Sequence, residues 1–338
     1  RGVLCASARA FASPHREGGG NPVSIFLSYE PTTSDERIKL AQTCTWESIV
    51  IENETGSSPS RDESLPKFHF FMPSGEEVSF CGHAAIGACS FLANKKSIIS
   101  QSQHENSLPS SIALPSVETT VSFLTAADRA RYDAKVTGNQ VELIMDTQHD
   151  ETECNSKSCS LEDLLSEIGL GVKDILSKCD DGIGWPKFLN SSVARPKTLI
   201  PLATTERLHN ATAPRDPAKF CEMCDSIDST GIYLYSTFTK SEMEEAKSDK
   251  RDLAFECRQF PRSSGYPEDP ATGIAAGALA ASLHKRGIML ATGGNYDVYQ
   301  GTVMGKPSKI RVEIIDYASK ETCPSLKLMY TGLVTFDP

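Results

Sequence analysis

No stretch of the 338 residues approaches the roughly 18 consecutive apolar positions that a membrane-spanning helix needs, so no membrane partner is expected. The chain also has no compact basic stripe. Its 34 lysines and arginines are outnumbered by 44 acidic residues, for a net charge of -10, which argues against a nucleic-acid partner. There is no dinucleotide fingerprint, no phosphate-binding loop and no lysine in a cofactor-specific setting, so no cofactor is expected and the chemistry falls to side chains alone. Zinc wants four ligands, and Cys221-Glu222-Met223-Cys224 supplies one pair with no second CxxC or paired histidines to complete it. Two ordinary thiols on a helix are the better reading, and no metal is expected.

What is present is an ordinary soluble composition, 39% hydrophobic and 23% charged, in a chain long enough for two domains. Eleven cysteines, an odd number with irregular spacing, fit reduced thiols and a cytoplasmic location. The acidic balance speaks for solubility. It leaves room for an anionic substrate, because N–H groups at helix starts hold carboxylates locally.

Short apolar strands are expected at 8–11 and 23–28, joined by a loop ending Gly18-Gly19-Gly20-Asn21-Pro22. With no helix pattern behind it, that glycine run reads as a strand connection and not as a phosphate cradle. A helix over 34–45, with Asp35 and Glu36 at its start, precedes a strand at 46–51, so Glu47 sits at a helix-to-strand junction. Residues 81–93, dense in alanine and glycine, predict a buried helix, and the serine-rich 97–118 a linker. Strands at 119–124 and 140–145 precede an acidic loop over 150–160 and helical pieces at 161–168 and 173–177. Further strands are expected at 199–202, 231–235, 253–255, 310–315 and 326–336, with a helix at 217–226. A phenylalanine-proline strand end, a glycine turn and a small-residue helix recur at 260–281, a weak internal repeat of the first half.

Several motifs fall in an order that resembles the PhzF family of phenazine-biosynthesis-like proteins. They are Gly20-Asn21-Pro22, Glu47, Phe71-Met72-Pro73 before Cys81-Gly82-His83-Ala84, Arg258-Gln259-Phe260-Pro261, Glu268-Asp269-Pro270-Ala271-Thr272-Gly273, and Gln300-Gly301 with Gly305-Lys306-Pro307. The resemblance implies an α+β fold of the diaminopimelate-epimerase type: two similar domains related by a pseudo-two-fold axis, each a curved, mostly antiparallel sheet around a central helix. The first domain is expected over 1–125, joined by the last strand at 326–338, and the second over 126–325. The resemblance also implies a site in the cleft between the domains, a homodimer, and a cofactor-independent isomerase or epimerase. The substrate would be a small carboxylate-bearing molecule on which a proton is moved.

By position, Glu47 matches the family's acid/base glutamate, His83 its cleft histidine and Asp269 its cleft aspartate. Proton transfer at carbon needs a group that takes a proton and returns it, and a partly desolvated glutamate is tuned for that. A lone histidine among alanines is also a common core residue, and Asp269 before Pro270 is also an ordinary helix cap. Gly82 and Gly273 permit close backbone approach to a substrate, and Thr272 offers a hydroxyl for binding. The chain departs from the family pattern at Ile274, where a serine is common, and at Trp46 and Ser48 around the glutamate. Cys81 raises the two-thiol racemase mechanism, but residues 268–273 hold no facing cysteine. The competing class is a binding or interaction protein on the same fold, without turnover.

Overall fold

The computed structural model describes residues 2–14, 18–53, 65–102, 114–154, 159–176, 188–238, 253–288, 295–318 and 324–337. The chain divides into two compact units, one formed by Arg1–Met145 with Thr331–Pro338 and the other by Asp146–Tyr330.

Unit 1 opens with an antiparallel pair, β1 (Val3–Ala12) and β2 (Asn21–Ser28). Helix α1 (Ser34–Gln42) crosses to β3 (Ser48–Glu52), which runs parallel to β2 and antiparallel to β4 (Lys67–Phe71). Reciprocal bonds between Thr33 and Glu36 fix the start of α1, satisfying N–H groups that a helix end otherwise leaves bare. The short β5 (Glu77–Val78) folds back on β4, and α2 (Gly82–Ser102) leads to β6 (Thr119–Thr125), parallel to β4. Strands β7 (Arg131–Thr137) and β8 (Gln140–Gln148) continue an antiparallel meander. The end of the chain returns to pair with β1, Val334 opposite Ala10.

Helix α2 packs on β1, β2, β3, β6 and β7, so the sheet of unit 1 wraps around it. Ala84, Ala85, Ile86, Ala88 and Cys89 are wholly buried, and small residues let the strands come close. A Cβ at Gly87 would stand 2.8 Å from Val23 Cγ1, so this contact with β2 admits only glycine.

Unit 2 holds β9 (Asp150–Glu153), α3 (Leu161–Glu167), a single 3-10 turn at Val172–Asp174, β10 (Leu189–Ser192) and β11 (Lys197–Pro201). Then come α4 (Thr205–His209), α5 (Pro217–Ser226), β12 (Gly231–Thr237), β13 (Leu253–Pro261), α6 (Gly273–Lys285), β14 (Tyr296–Gln300), β15 (Ser308–Tyr317) and the start of β16 (Ser325–Phe336), whose residues from Thr331 on belong to unit 1. Asp216 caps α5 and Pro217 occupies its first turn, where a missing N–H costs nothing. On one face of the sheet Ile200, Ile232, Leu234 and Phe260 pack against Leu164, Leu165, Phe220 and Met223 of α3 and α5. Strand alternation turns Tyr233 and Gln259 to the opposite face. Residues 273–283 of α6 are all buried.

The two units share one connectivity. An antiparallel pair (β1–β2, β10–β11) is followed by a helical crossover to a parallel strand (β3, β12) and its antiparallel neighbour (β4, β13). A small-residue helix (α2, α6) then leads to a second parallel strand (β6, β14) and an antiparallel neighbour (β7, β15). The fold is α+β, with two similar domains of mostly antiparallel sheet, as the resemblance implies.

Several expectations are corrected. Asp150–Glu153 is a strand, not part of a loop, because it pairs with β10; 155–158 lie outside the described residues. The helical piece at 173–177 is only the 3-10 turn. Helix α2 runs to Ser102, into the expected linker, of which 103–113 lie outside the described residues. Unit 1 ends beyond residue 125, because β7 and β8 extend the β6 meander. Among the described residues no helix is long and apolar enough to cross a membrane.

Candidate active site

Glu47 ends the connection into β3, and its carbonyl accepts the Ser24 N–H of β2 at 3.2 Å. The residue is buried, and its Oε2 lies 3.8 Å from His83 Nε2. His83 is the second residue of α2, whose first intrahelical bond runs from the Ala85 N–H to the Cys81 carbonyl at 2.9 Å. The Asn21 amide donates to His83 Nδ1 at 3.2 Å, and the Cys81 thiol lies 3.4 Å from the same nitrogen. An accepting Nδ1 leaves the ring proton on Nε2, facing Glu47. A Cβ on Gly82 would meet nothing closer than Phe80 Cε1 at 3.8 Å, so packing leaves room over this backbone.

Asp269, Thr272 and Gly273 gather in unit 2. The Asp269 N–H donates to the Gln259 carbonyl at 3.0 Å, and its carboxylate accepts the Thr272 hydroxyl at 2.6 Å. Asp269 is not the cap of α6: that position belongs to Thr272, which makes no side-chain capping bond. Gln300 joins the group. Its amide nitrogen donates to the Asp269 carbonyl at 2.6 Å and to Thr272 Oγ1 at 3.1 Å, and its oxygen accepts the Thr272 N–H at 3.3 Å and the Tyr233 hydroxyl at 3.3 Å. Ile274 follows Gly273 and is buried.

The loop bearing Asp269 is held by a buried ion pair. Arg258 of β13 donates to Glu268 through Nε at 2.8 Å and Nη2 at 2.7 Å, and through Nη1 to the carbonyls of Leu208, His209 and Ala211. Such a two-pronged pair fixes geometry as well as charge.

Asn21 and Gln300 lie inside motifs whose order is legible, but no role could be assigned them from sequence. Their partners sit 62 positions away at His83 and 28 away at Thr272. Among the described residues no three histidine, cysteine or acidic side chains cluster as a metal site. Cys224 sits in the packed outer layer, where burial pushes its thiol up to about 12.

A sheet-wrapped helix in each of two like-connected units is the fold of the diaminopimelate-epimerase-like type. The PhzC-PhzF family model, "Phenazine biosynthesis-like protein", matches residues 192–327. The crystal structure of the Bacillus anthracis phenazine biosynthesis protein of the PhzF family is similar at a TM-score of 0.68 and 17% identity, over 99% of this chain and 98% of that one. A predicted epimerase from Pseudomonas aeruginosa is similar at a TM-score of 0.63 and 20% identity, over 99% and 96%. An uncharacterized isomerase from Deinococcus radiodurans is 24% identical over 303 residues, 88% of this chain and 82% of that protein. The chain is similar to proteins of the PhzF family and to proteins named as isomerases, in each case below 25% identity.

Proposed function

We propose that the chain moves a proton on a small carboxylate-bearing substrate by general acid/base catalysis at Glu47, without a cofactor. The observation that carries this reading is the buried Glu47 carboxylate 3.8 Å from His83 Nε2, with the ring fixed from behind by Asn21. Glu47 removes a proton from carbon, and the electron pair left behind moves into the adjoining unsaturated or carbonyl group. The same carboxyl then returns the proton at a second carbon, or at the opposite configuration where the substrate turns. His83, carrying its proton on Nε2, steadies the carboxylate and the developing negative charge. The substrate carboxylate is held by the first-turn N–H groups of α2, beside Gly82. Asp269 and Thr272 orient the substrate's polar groups, and Gly273 lets its backbone come close.

The test is solvent-deuterium incorporation into a panel of small cyclic and amino carboxylic acids. Exchange in the wild type that falls about 10²- to 10⁴-fold in Glu47→Gln supports the assignment. Binding that is equal in both proteins, with no exchange on any acid, would replace it with a binding protein on the same fold.

A further inference from the structure

The motif Gln300-Gly301, with Gly305-Lys306-Pro307 behind it, has no part in the proposed reaction, yet within unit 2 it lies against the loop that carries Asp269. Gly301 turns the chain out of β14 with φ +77°, and a Cβ there would stand 2.2 Å from the Lys306 carbonyl oxygen and 2.8 Å from that of Pro270. Only glycine lets the two loops meet this closely. The Gly301 carbonyl accepts the N–H groups of Met304 and Lys306 at 3.1 and 3.0 Å, which closes the turn. The wholly buried Gln300 amide is thereby brought to Asp269 and Thr272, and its four hydrogen bonds allow one arrangement of protons. A main-chain N–H only donates and a carbonyl only accepts. The end of Gln300 that meets the Thr272 N–H is therefore its oxygen, and the end that meets the Asp269 carbonyl is its NH2 group. Thr272 Oγ1 accepts from that NH2 group, so the single hydroxyl proton goes to Asp269. On the other side the Tyr233 hydroxyl donates to the Gln300 oxygen, and burial pushes its pKa well above the ordinary value, so it keeps its proton. A directed chain runs from Tyr233 through Gln300 and Thr272 to Asp269.

We propose that Gln300 is a positioning residue: anchored by Tyr233, it aims the Thr272 hydroxyl at Asp269, so that the pair meets a substrate through the Asp269 carboxylate and not through the threonine proton. This rests on the reading of Asp269 and Thr272 as groups that orient a substrate. Replacing Gln300 by glutamate separates the donor role of the amide from its acceptor role. An ionised glutamate still accepts from the Thr272 N–H and the Tyr233 hydroxyl, but it has no proton for Thr272 and sets a second carboxylate beside Asp269. Protonated, it regains one donor. Around this set stand Tyr233, the Cys257 thiol, which burial also pushes well up, and Lys197 of β11. Burial, with Arg195 adding to it, pushes the Lys197 ammonium down to about 7, while Asp269 and the Cys224 thiol pull the other way. These groups titrate in wild type and variant alike, so the ratio of the two proteins isolates residue 300.

The experiment follows full-length Gln300→Glu against the wild type from pH 5 to pH 8, by deuterium exchange on a panel acid that the wild type turns over and by thermal unfolding. Exchange in the variant is expected to lie about 100-fold below the wild type at pH 8 and within about tenfold of it at pH 5, where the crowded carboxyl keeps its proton. Gln300→Leu, which has no proton to give at any pH, should stay low at both. Tyr233→Phe should slow exchange by about 3- to 10-fold with KM nearly unchanged. The proposal is overturned if the Gln300→Glu ratio is the same at both pH values, or if Gln300→Leu exchanges within about threefold of the wild type. Should Gln300→Glu fold at neither pH, Tyr233→Phe decides, and an unchanged rate there refutes the chain. If the wild type exchanges no acid, the isomerase reading falls and unfolding decides this one. A buried carboxyl at 300 holds its proton above the unfolded value of about 4.3, so the variant's midpoint should lie closest to the wild type at pH 5 and drop away toward pH 8. Parallel midpoints across that range would refute the proposal.

Discussion

On the proposed reading, proton transfer at Glu47 turns on which nitrogen of His83 carries the proton. Asn21 decides it by donating to Nδ1. In Asn21→Leu the ring loses that constraint, and deuterium exchange should slow by about 10- to 100-fold while substrate affinity changes little, read as a fall in kcat at near-constant KM. Cys81 touches the same nitrogen but has no facing thiol in residues 268–273. Exchange in Cys81→Ala should therefore fall by less than about tenfold, and a fall as deep as that of Glu47→Gln would return the thiol to the mechanism. Glu47 and His83, which lie 3.8 Å apart, could be singled out because each sits in a short motif beside a structural punctuation, a strand start or a helix start. Lys197 and Gln259, both buried polar residues, could not be. Their meaning depends on the face of the sheet each occupies, and that register is set by pairing with strands distant in sequence.

At the scale of elements, legibility followed side-chain character. Helix α5 could be placed because Asp216 and Pro217 announce its start, and α2 and α6 because small residues run at helical length. Strand β7 escaped although Tyr132, Ala134 and Val136 alternate toward the core, because charged residues at Arg131, Asp133 and Lys135 stand between them. Strand β14 escaped because its second residue, Asp297, sits wholly buried, its charge met by Arg311 at 2.7 Å and Lys309 at 2.7 Å. Strand β9, Asp-Glu-Thr-Glu, has no apolar face at all, and Glu151 is neutralised by Lys285 at 3.0 Å and Arg286 at 2.6 Å. The Arg258–Glu268 pair shows what such buried charges do for a neighbouring site, since it fixes the turn that presents Asp269. Arg258→Met leaves Glu268 buried and unpaired and should cost about 3–5 kcal/mol by denaturant unfolding.

For the molecule as a whole, acid is the expected weakness. Burial holds His149 down at about 4, against an ordinary value of 6.5, with Glu151 only partly countering it. The unfolded chain therefore takes up this proton first as pH falls. The stability tied to the neutral ring is whole above pH 6.5 and drains away between 6.5 and about 4. That amounts to roughly 3 kcal/mol, so the denaturation midpoint should drop across this window more steeply in the wild type than in His149→Gln.

The return of the chain to β1 bears on how the protein is made. Unit 2 is one unbroken segment, Asp146–Tyr330, whereas unit 1 is completed by Thr331–Pro338. On a ribosome adding about 5–20 residues each second, roughly 10–40 s separate the emergence of Met145 from that of Thr331. Through that interval β1 has β2 on one side and an open row of backbone donors and acceptors on the other. The first half synthesised is thus the last to close, and nascent chains arrested short of Thr331 are where a chaperone would find its binding site.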